Sequence, residues 1–267
     1  MSCSKRLIQL EPCLADDRVQ IPVWKRVLDL VCILAALPFL VPVMLIIAAI
    51  IKVGSPGPVL FRQQRVGARG RLFTCLKFRT MTTNADTAIH EVYCQRLIDS
   101  DLPMVKIDAR GDRRLIPIGR PLRACGLDEL PQIINVLRGE MSLVGPRPCL
   151  PCEYEKHLPG QKERFNTLPG LTGLWQVSGK NTTTFNEMIR LDLQYNQEKS
   201  FWLDMKIMIR TIPALIVQVR QMRSGWNVQS PGNHELTVGA RVRPLPKPVA
   251  LAGAGGGPPL SAGNSMG

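Results

Sequence analysis

Two adjacent carboxylates, Asp128 and Glu129, sit in the run Gly126-Leu-Asp-Glu-Leu-Pro-Gln132. The pattern predicts a helix start, with Asp128 as N-cap and Pro131 in the first turn, where a missing N–H costs little. A helix start offers unbonded N–H groups and the positive end of the dipole, which bind phosphate and keep a carboxylate ionised. An ionised Asp beside a bound phosphate is equipped to attack phosphorus. The second carboxylate is suited to a divalent metal that bridges the phosphates. The same two residues would also serve as plain capping groups, and their spacing alone does not separate the two uses.

Cations lie upstream. No acid occurs between Asp29 and Asp86, while Arg62, Arg65, Arg69, Arg71, Lys77 and Arg79 fall in that gap. Lys77 and Arg79 are two apart on an expected strand, which puts them on one face. A second group, Arg110, Arg113, Arg114, Arg120 and Arg123, is diluted only by Asp112. Such groups make either a phosphate pocket or a solvated face against anionic lipid. The whole chain carries 34 Lys+Arg against 21 Asp+Glu, a net charge of +13, so its partners are anionic. Aromatics are only 5% and are not interleaved with the cations, which argues against a stacking surface for nucleic acid.

Other chemistries find little support. The histidines His90, His157 and His234 are far apart, and Cys149-Leu-Pro-Cys152 has no second CxxC to complete a zinc site. Scattered cysteines in a chain of 267 residues, long enough to bury a core, fit free thiols rather than a disulfide scaffold. Gly173 to Asn181 misses the P-loop spacing by one residue and ends in Asn instead of Ser or Thr.

The elements that must position these residues begin with Leu30–Ile51, a run of 22 residues without a charge. As a helix it is roughly 33 Å long, enough for the hydrocarbon core. Pro38 and Pro42 interrupt it, each deleting a backbone donor. Cations flank both ends, Lys25 and Arg26 before and Lys52, Arg62 and Arg65 after. A helix that enters, breaks and leaves on one face therefore competes with a simple span. Beyond it, Val59–Phe61 and Leu72–Phe78 read as strands, and 85–100 and Pro131–Arg138 as helices. Phe201–Val219, with Trp202 near its start, reads as either an interfacial helix or an ordinary docking helix. The resulting division is a flexible N-terminus (1–20), a membrane segment (21–56), a catalytic domain (57–225) and a disordered tail (226–267).

KFRTM (77–81), LRACGLDELPQIINVLRGEMSLVGPRP (122–148) and PGLTGLWQVSGK (169–180) occur in this order. In this the chain resembles the bacterial sugar transferases, monotopic polyprenyl-phosphate phosphoglycosyl transferases that start exopolysaccharide and O-antigen units. The resemblance runs from about Trp24 to Val219 and is closest to initiators of the rhizobial galactosyl-phosphate type. It implies an α/β fold, mostly α with a small sheet, on a re-entrant helix at the cytoplasmic face of the bacterial inner membrane.

It also implies a chemistry: attack by Asp128 on the β-phosphate of a UDP-hexose with Mg2+, loss of UMP, and transfer of the sugar phosphate to undecaprenyl phosphate. By position, Glu129 is the acidic partner and shares the metal with Asp128. Lys77, Arg79 and Arg123 contact phosphate, and Pro146, Arg147 and Pro148 take the uridine. Pro42, with Val41 where the family has Ser, matches the membrane break, and Pro38 is an extra breaker. Gly126 stands where Ser is frequent. The likeness makes a homodimer plausible. The rival from another class is an inactive, membrane-anchored scaffold that holds anionic lipid; a nucleic-acid binder is a weaker one.

Overall fold

A computed structural model of the chain describes residues 21–83, 98, 114–179 and 183–223. The expected N-terminal and C-terminal segments lie outside these residues, as do Arg110 and Arg113. So does the expected helix over 85–100, except for Ile98, which is helical.

Helix α1, Val23–Gly54, is 32 residues long. It extends well beyond the uncharged run and takes in Lys25, Arg26 and Asp29. One stripe, Lys25, Asp29, Ile33, Leu37, Leu40, Met44, Ile47 and Ile51, recurs every three or four residues and faces protein. Ile33 packs with Phe73, Cys75, Ile133, Val136 and Met141. Ile47 and Ile51 pack with Phe78, Ile116 and Leu122. The opposite side is apolar as well: Leu34, Phe39, Leu45 and Ile46 are 61, 77, 65 and 59% exposed. A water-facing helix would carry polar groups there. By length and composition α1 is able to cross a membrane.

Pro38 and Pro42 do not end the helix; both lie inside it. Each removes one donor, but the bonds on either side continue. Four residues apart, both fall on the exposed side, away from the contacts that dock the helix. The flanking cations also differ from expectation. Lys25 and Arg65 are buried, whereas Lys52 and Arg62 are exposed.

Strands β1 (Leu60–Val66) and β2 (Leu72–Phe78) form an antiparallel hairpin in register Leu60↔Phe78 to Val66↔Leu72. The first strand runs longer than its apolar triplet suggests, because β2 pairs with it throughout. Helix α2 (Gly119–Cys125) ends at Gly126, whose φ of 70° is the left-handed turn that closes a helix. A 3-10 turn, Leu127–Glu129, leads into α3 (Gln132–Leu137). Strand β3 (Ser142–Val144) pairs in parallel with β4 (Gly170–Thr172). Between them lie α4 (Pro151–Glu155) and the 3-10 segment Pro159–Asn166. Helices α5 (Leu174–Val177), α6 (Phe185–Glu198) and α7 (Phe201–Arg223) complete a mostly helical fold with two small sheets.

Helix α7 turns Asp204, Ile207 and Gln218 inward and leaves Trp202, Ile209, Ile212 and Ile216 exposed. An edge-to-face contact of Phe201 with Trp24 joins its start to that of α1.

Candidate active site

The dyad sits in the 3-10 turn, not at a helix cap. Pro131 is the N-cap residue of α3, and no side chain caps that helix. A six-residue helix has little dipole to offer, so local charges dominate the site. Gly126 and Pro131 explain the local fold: the glycine reverses the chain out of α2, and the proline starts α3. The turn buries Asp128 to 8% exposure, while Glu129 faces outward enough to receive Lys77. Lys77 Nζ donates to Glu129 Oε1 at 2.9 Å, with both side chains about a quarter exposed (21 and 26%).

Asn135 fixes the dyad against the strand that carries Lys77. Its Oδ1 accepts from Leu76 N at 3.1 Å, and its Nδ2 donates to Thr74 O at 2.8 Å. The side-chain amide thus completes the edge of β2 as a neighbouring strand would. Side chains also cap the helices on either side of the dyad. Gln218 of α7 donates to Ala124 O at 2.9 Å at the end of α2. Arg26 of α1 donates to Val136 O and Leu137 O, at 2.5 and 2.7 Å, at the end of α3.

Arg79 is placed apart from Lys77. It is buried just past the end of β2, and its guanidinium donates to Ser55 O at 2.8 Å and to Pro56 O. It thereby ties down the chain as it leaves α1. Arg123 lies in the last turn of α2, half-buried, five residues before Asp128.

Pro146, Arg147 and Pro148 follow β3, and each of their carbonyls has a donor. Pro146 O accepts from Gly170 N at 2.8 Å. Arg147 O accepts from Arg164 Nη2 at 3.0 Å, and Pro148 O from Arg65 Nη1 at 3.1 Å. Arg164 is wholly buried; it pairs with Asp192 and donates through Nη1 to His157 Nε2 at 3.0 Å. The His157 ring therefore carries its proton on Nδ1, which donates to Glu153 O at 2.6 Å. Burial, and then the guanidinium of Arg164, hold its pKa below the ordinary value.

The Arg147 side chain reaches Glu153 at 3.9 Å. Burial pushes the Glu153 carboxyl up, but Arg147 and Arg65 and the Leu150 N–H it accepts outweigh this and keep it below the usual range. The result is a rigid loop backbone bearing one arginine. Arg164, His157, Asp192 and Asn135 have no periodicity or motif that would have marked them. They are found only once the elements are packed.

Among the described residues, no group of three or more His, Cys, Asp or Glu gathers as a metal site. The adjacent pair Asp128–Glu129 still fits Mg2+, which typically takes one or two carboxylates and completes its shell with water and substrate phosphate. Cys149 and Cys152 are not linked, and burial pushes the Cys149 thiol up to about 12, so it stays protonated.

Comparison with known proteins gives the family. The model of the family described as bacterial sugar transferase matches residues 20–218. The UDP-glucose:undecaprenyl-phosphate glucose-1-phosphate transferase of Caulobacter vibrioides is 41% identical over 221 residues, 80% of this chain and 77% of that one. The exopolysaccharide production protein ExoY of Rhizobium meliloti is 37% identical, over 72% of this chain and 84% of its own. The undecaprenyl-phosphate galactose phosphotransferase of Salmonella typhimurium is 35% identical over 72% of this chain, which spans only 40% of that longer protein. These relatives are transferases of the phosphoglycosyl class, and that is the class of this chain. The chain belongs to the bacterial sugar transferase family.

Proposed function

We propose that the chain transfers a hexose 1-phosphate from a UDP-hexose to undecaprenyl phosphate, through a sugar-phosphoryl aspartate, and so initiates an exopolysaccharide repeat unit. The observation that carries this reading is the placement of Asp128, buried in a tight turn beside a Glu129 already matched to Lys77. A carboxylate oxygen of Asp128 bonds to the β-phosphorus. The bond from that phosphorus to the bridging oxygen breaks, and UMP leaves with the oxygen. An oxygen of undecaprenyl phosphate then attacks the same phosphorus, the aspartyl–phosphorus bond breaks, and the carboxylate returns.

Lys77 and Arg123 supply positive charge for the phosphates, because Arg79 is committed to Ser55 and Pro56. The clamped loop of Pro146, Arg147 and Pro148 takes the uridine end. Asp128 and Glu129 would hold Mg2+ together with the substrate, and the metal would supply charge neutralisation at the diphosphate.

The membrane arrangement follows the same reading. Helix α1 is held against one body from Ile33 to Ile51, a length of about 27 Å. A helix fastened along nearly the thickness of a bilayer core cannot pass through it while that body stays in water. On this reading α1, continuous through Pro38 and Pro42, dips into the membrane and returns to one face by bending at its prolines rather than breaking there, with the catalytic domain on the cytoplasmic face of the inner membrane. The exposed apolar stripe of α7 then lies on the lipid, with Lys206 and Arg210 reaching anionic headgroups.

UMP release from a panel of UDP-hexoses, with undecaprenyl phosphate supplied, tests the reaction. Wild-type protein is expected to turn over at least one donor and to trap labelled sugar phosphate before acceptor is added. Asp128→Asn should do neither. Full turnover by that variant would refute the nucleophile, and full cellular function without turnover would favour the scaffold.

A further inference from the structure

The buried charges at the start of α1 are unexplained by anchoring. Lys25 is 1% exposed, and all three of its donors are used: to Asp204 Oδ2 at 2.6 Å, Tyr195 Oη at 2.8 Å and Val144 O at 2.9 Å. Tyr195 Oη in turn lies 2.8 Å from Asp204 Oδ1. One helical turn later, on the same face, Asp29 Oδ1 accepts from Ser142 Oγ at 3.0 Å and from Leu143 N at 2.9 Å. Two side chains of α1 thus hold the whole of β3, a strand of three residues whose only ladder partner among the described residues is β4.

A buried ion pair is a poor source of stability, since apolar residues of similar volume often serve as well or better. It does fix direction: an ammonium with three committed partners holds one carbonyl in one place. That carbonyl belongs to Val144, two residues before Pro146. Uridine binding by 146–148 demands a loop held to a fraction of an ångström. The loop's own carbonyls are fixed from the far side by Arg65, Arg164 and Gly170. Its near end hangs from β3, and β3 hangs from α1.

We propose that Lys25, with its partners Asp204 and Tyr195, is a positioning group for nucleotide capture, so that the docked start of the membrane helix sets the affinity of the uridine loop. The inference rests on the proposed role of that loop. Lys25 touches neither substrate nor reacting atoms, so it is not catalytic.

The test uses the full chain in nanodiscs, with UDP as the binding probe and UDP-hexose turnover as the second readout. Lys25→Met alone leaves Asp204 buried without its cation and is prone to misfold. The informative variant is Lys25→Met/Asp204→Leu, which removes both charges. It is expected to keep a melting temperature near that of wild type, to bind UDP about tenfold more weakly, and to keep its rate at saturating donor. Tyr195→Phe, a milder change that removes one hydroxyl, is expected to weaken UDP binding about fivefold, the value of one hydrogen bond.

Unchanged UDP affinity in a folded double variant and in Tyr195→Phe would overturn the inference while leaving the transferase reading intact. A lower saturating rate at unchanged affinity would also overturn it. Wild-type protein that binds no UDP would overturn the reading of the loop itself, and the inference with it.

Discussion

Substituting Gly170 by Ala probes how tightly the loop of Pro146, Arg147 and Pro148 is built. A Cβ at Gly170 would stand 2.1 Å from Gly145 N, 2.3 Å from Thr172 O and 2.7 Å from Gly145 Cα, all of them backbone atoms. No flexible side chain can yield. Restoring an ordinary contact of 3.4 Å requires β3 and β4 to part by about 1.3 Å. Besides the β3–β4 ladder itself, three backbone bonds cross this seam: Ser142 N to Pro169 O at 2.9 Å, Gly145 N to Thr172 O at 2.9 Å, and Gly170 N to Pro146 O at 2.8 Å. Stretched by that amount, none remains a hydrogen bond.

At about 1 kcal/mol net each, their loss amounts to about 3 kcal/mol, a large share of a domain's total stability. The melting temperature should fall by about 6–12 °C. The Pro146 carbonyl moves with the seam, and a displacement near 1 Å in a positioning element costs on the order of 100-fold, expected here as a raised KM for UDP-hexose. Thermal unfolding in detergent and the KM for UDP-hexose are the measurements. Gly160→Ala, where an added Cβ meets nothing within 4 Å, is the control and should change neither. If Gly170→Ala melts with wild type and keeps its KM, the account of the seam is wrong.

Other variants test the remaining contacts. Ile51→Ala should cost about 2–5 kcal/mol, because Ile51 is fully buried, whereas Ile50→Ala on the exposed side should melt like wild type. Lys77→Met should change stability by no more than about 1 kcal/mol, as befits a part-exposed pair, yet lower the rate of UMP release about 100-fold or more. Glu153 binds its proton less readily in the folded chain than in the unfolded one. The stability it confers is therefore complete above the ordinary carboxyl range and drains away as pH falls through its folded value. Glu153→Gln should flatten the loss of melting temperature below about pH 4.5, the ordinary value for that group. A variant curve parallel to wild type would remove Glu153 as the cause.

The sequence was most legible where chemistry and local geometry share a few consecutive residues. The dyad, the hairpin strand that carries Lys77, and the apolar helix could each be read from spacing. Reading failed wherever a residue's task lies across the fold. Lys25 and Arg26 resemble flanking cations at a lipid surface, but one is buried in an ion pair and the other caps α3. The alternation that put Lys77 and Arg79 on one face took no account of where β2 ends. Arg79 lies one residue past it and meets the chain leaving α1 instead. Asp128 was expected to cap a helix because a following proline marks a first turn, yet a 3-10 turn intervenes. Arg164, His157 and Asp192 come from different elements, and no local pattern joins them.

Lys25 and Asp204 are 179 residues apart in the chain. On the ribosome the apolar helix emerges long before its partner, and the two cannot meet until α7 has been made. Contacts so distant in sequence form late, because their loop-closure cost comes before any reward. The nascent chain can thus reach the membrane while its strand β3 still lacks one of its two supports. Helix α7 then serves as a completion signal: a product truncated before Asp204 would lack the carboxylate that holds Lys25, and its β3 would stay slack.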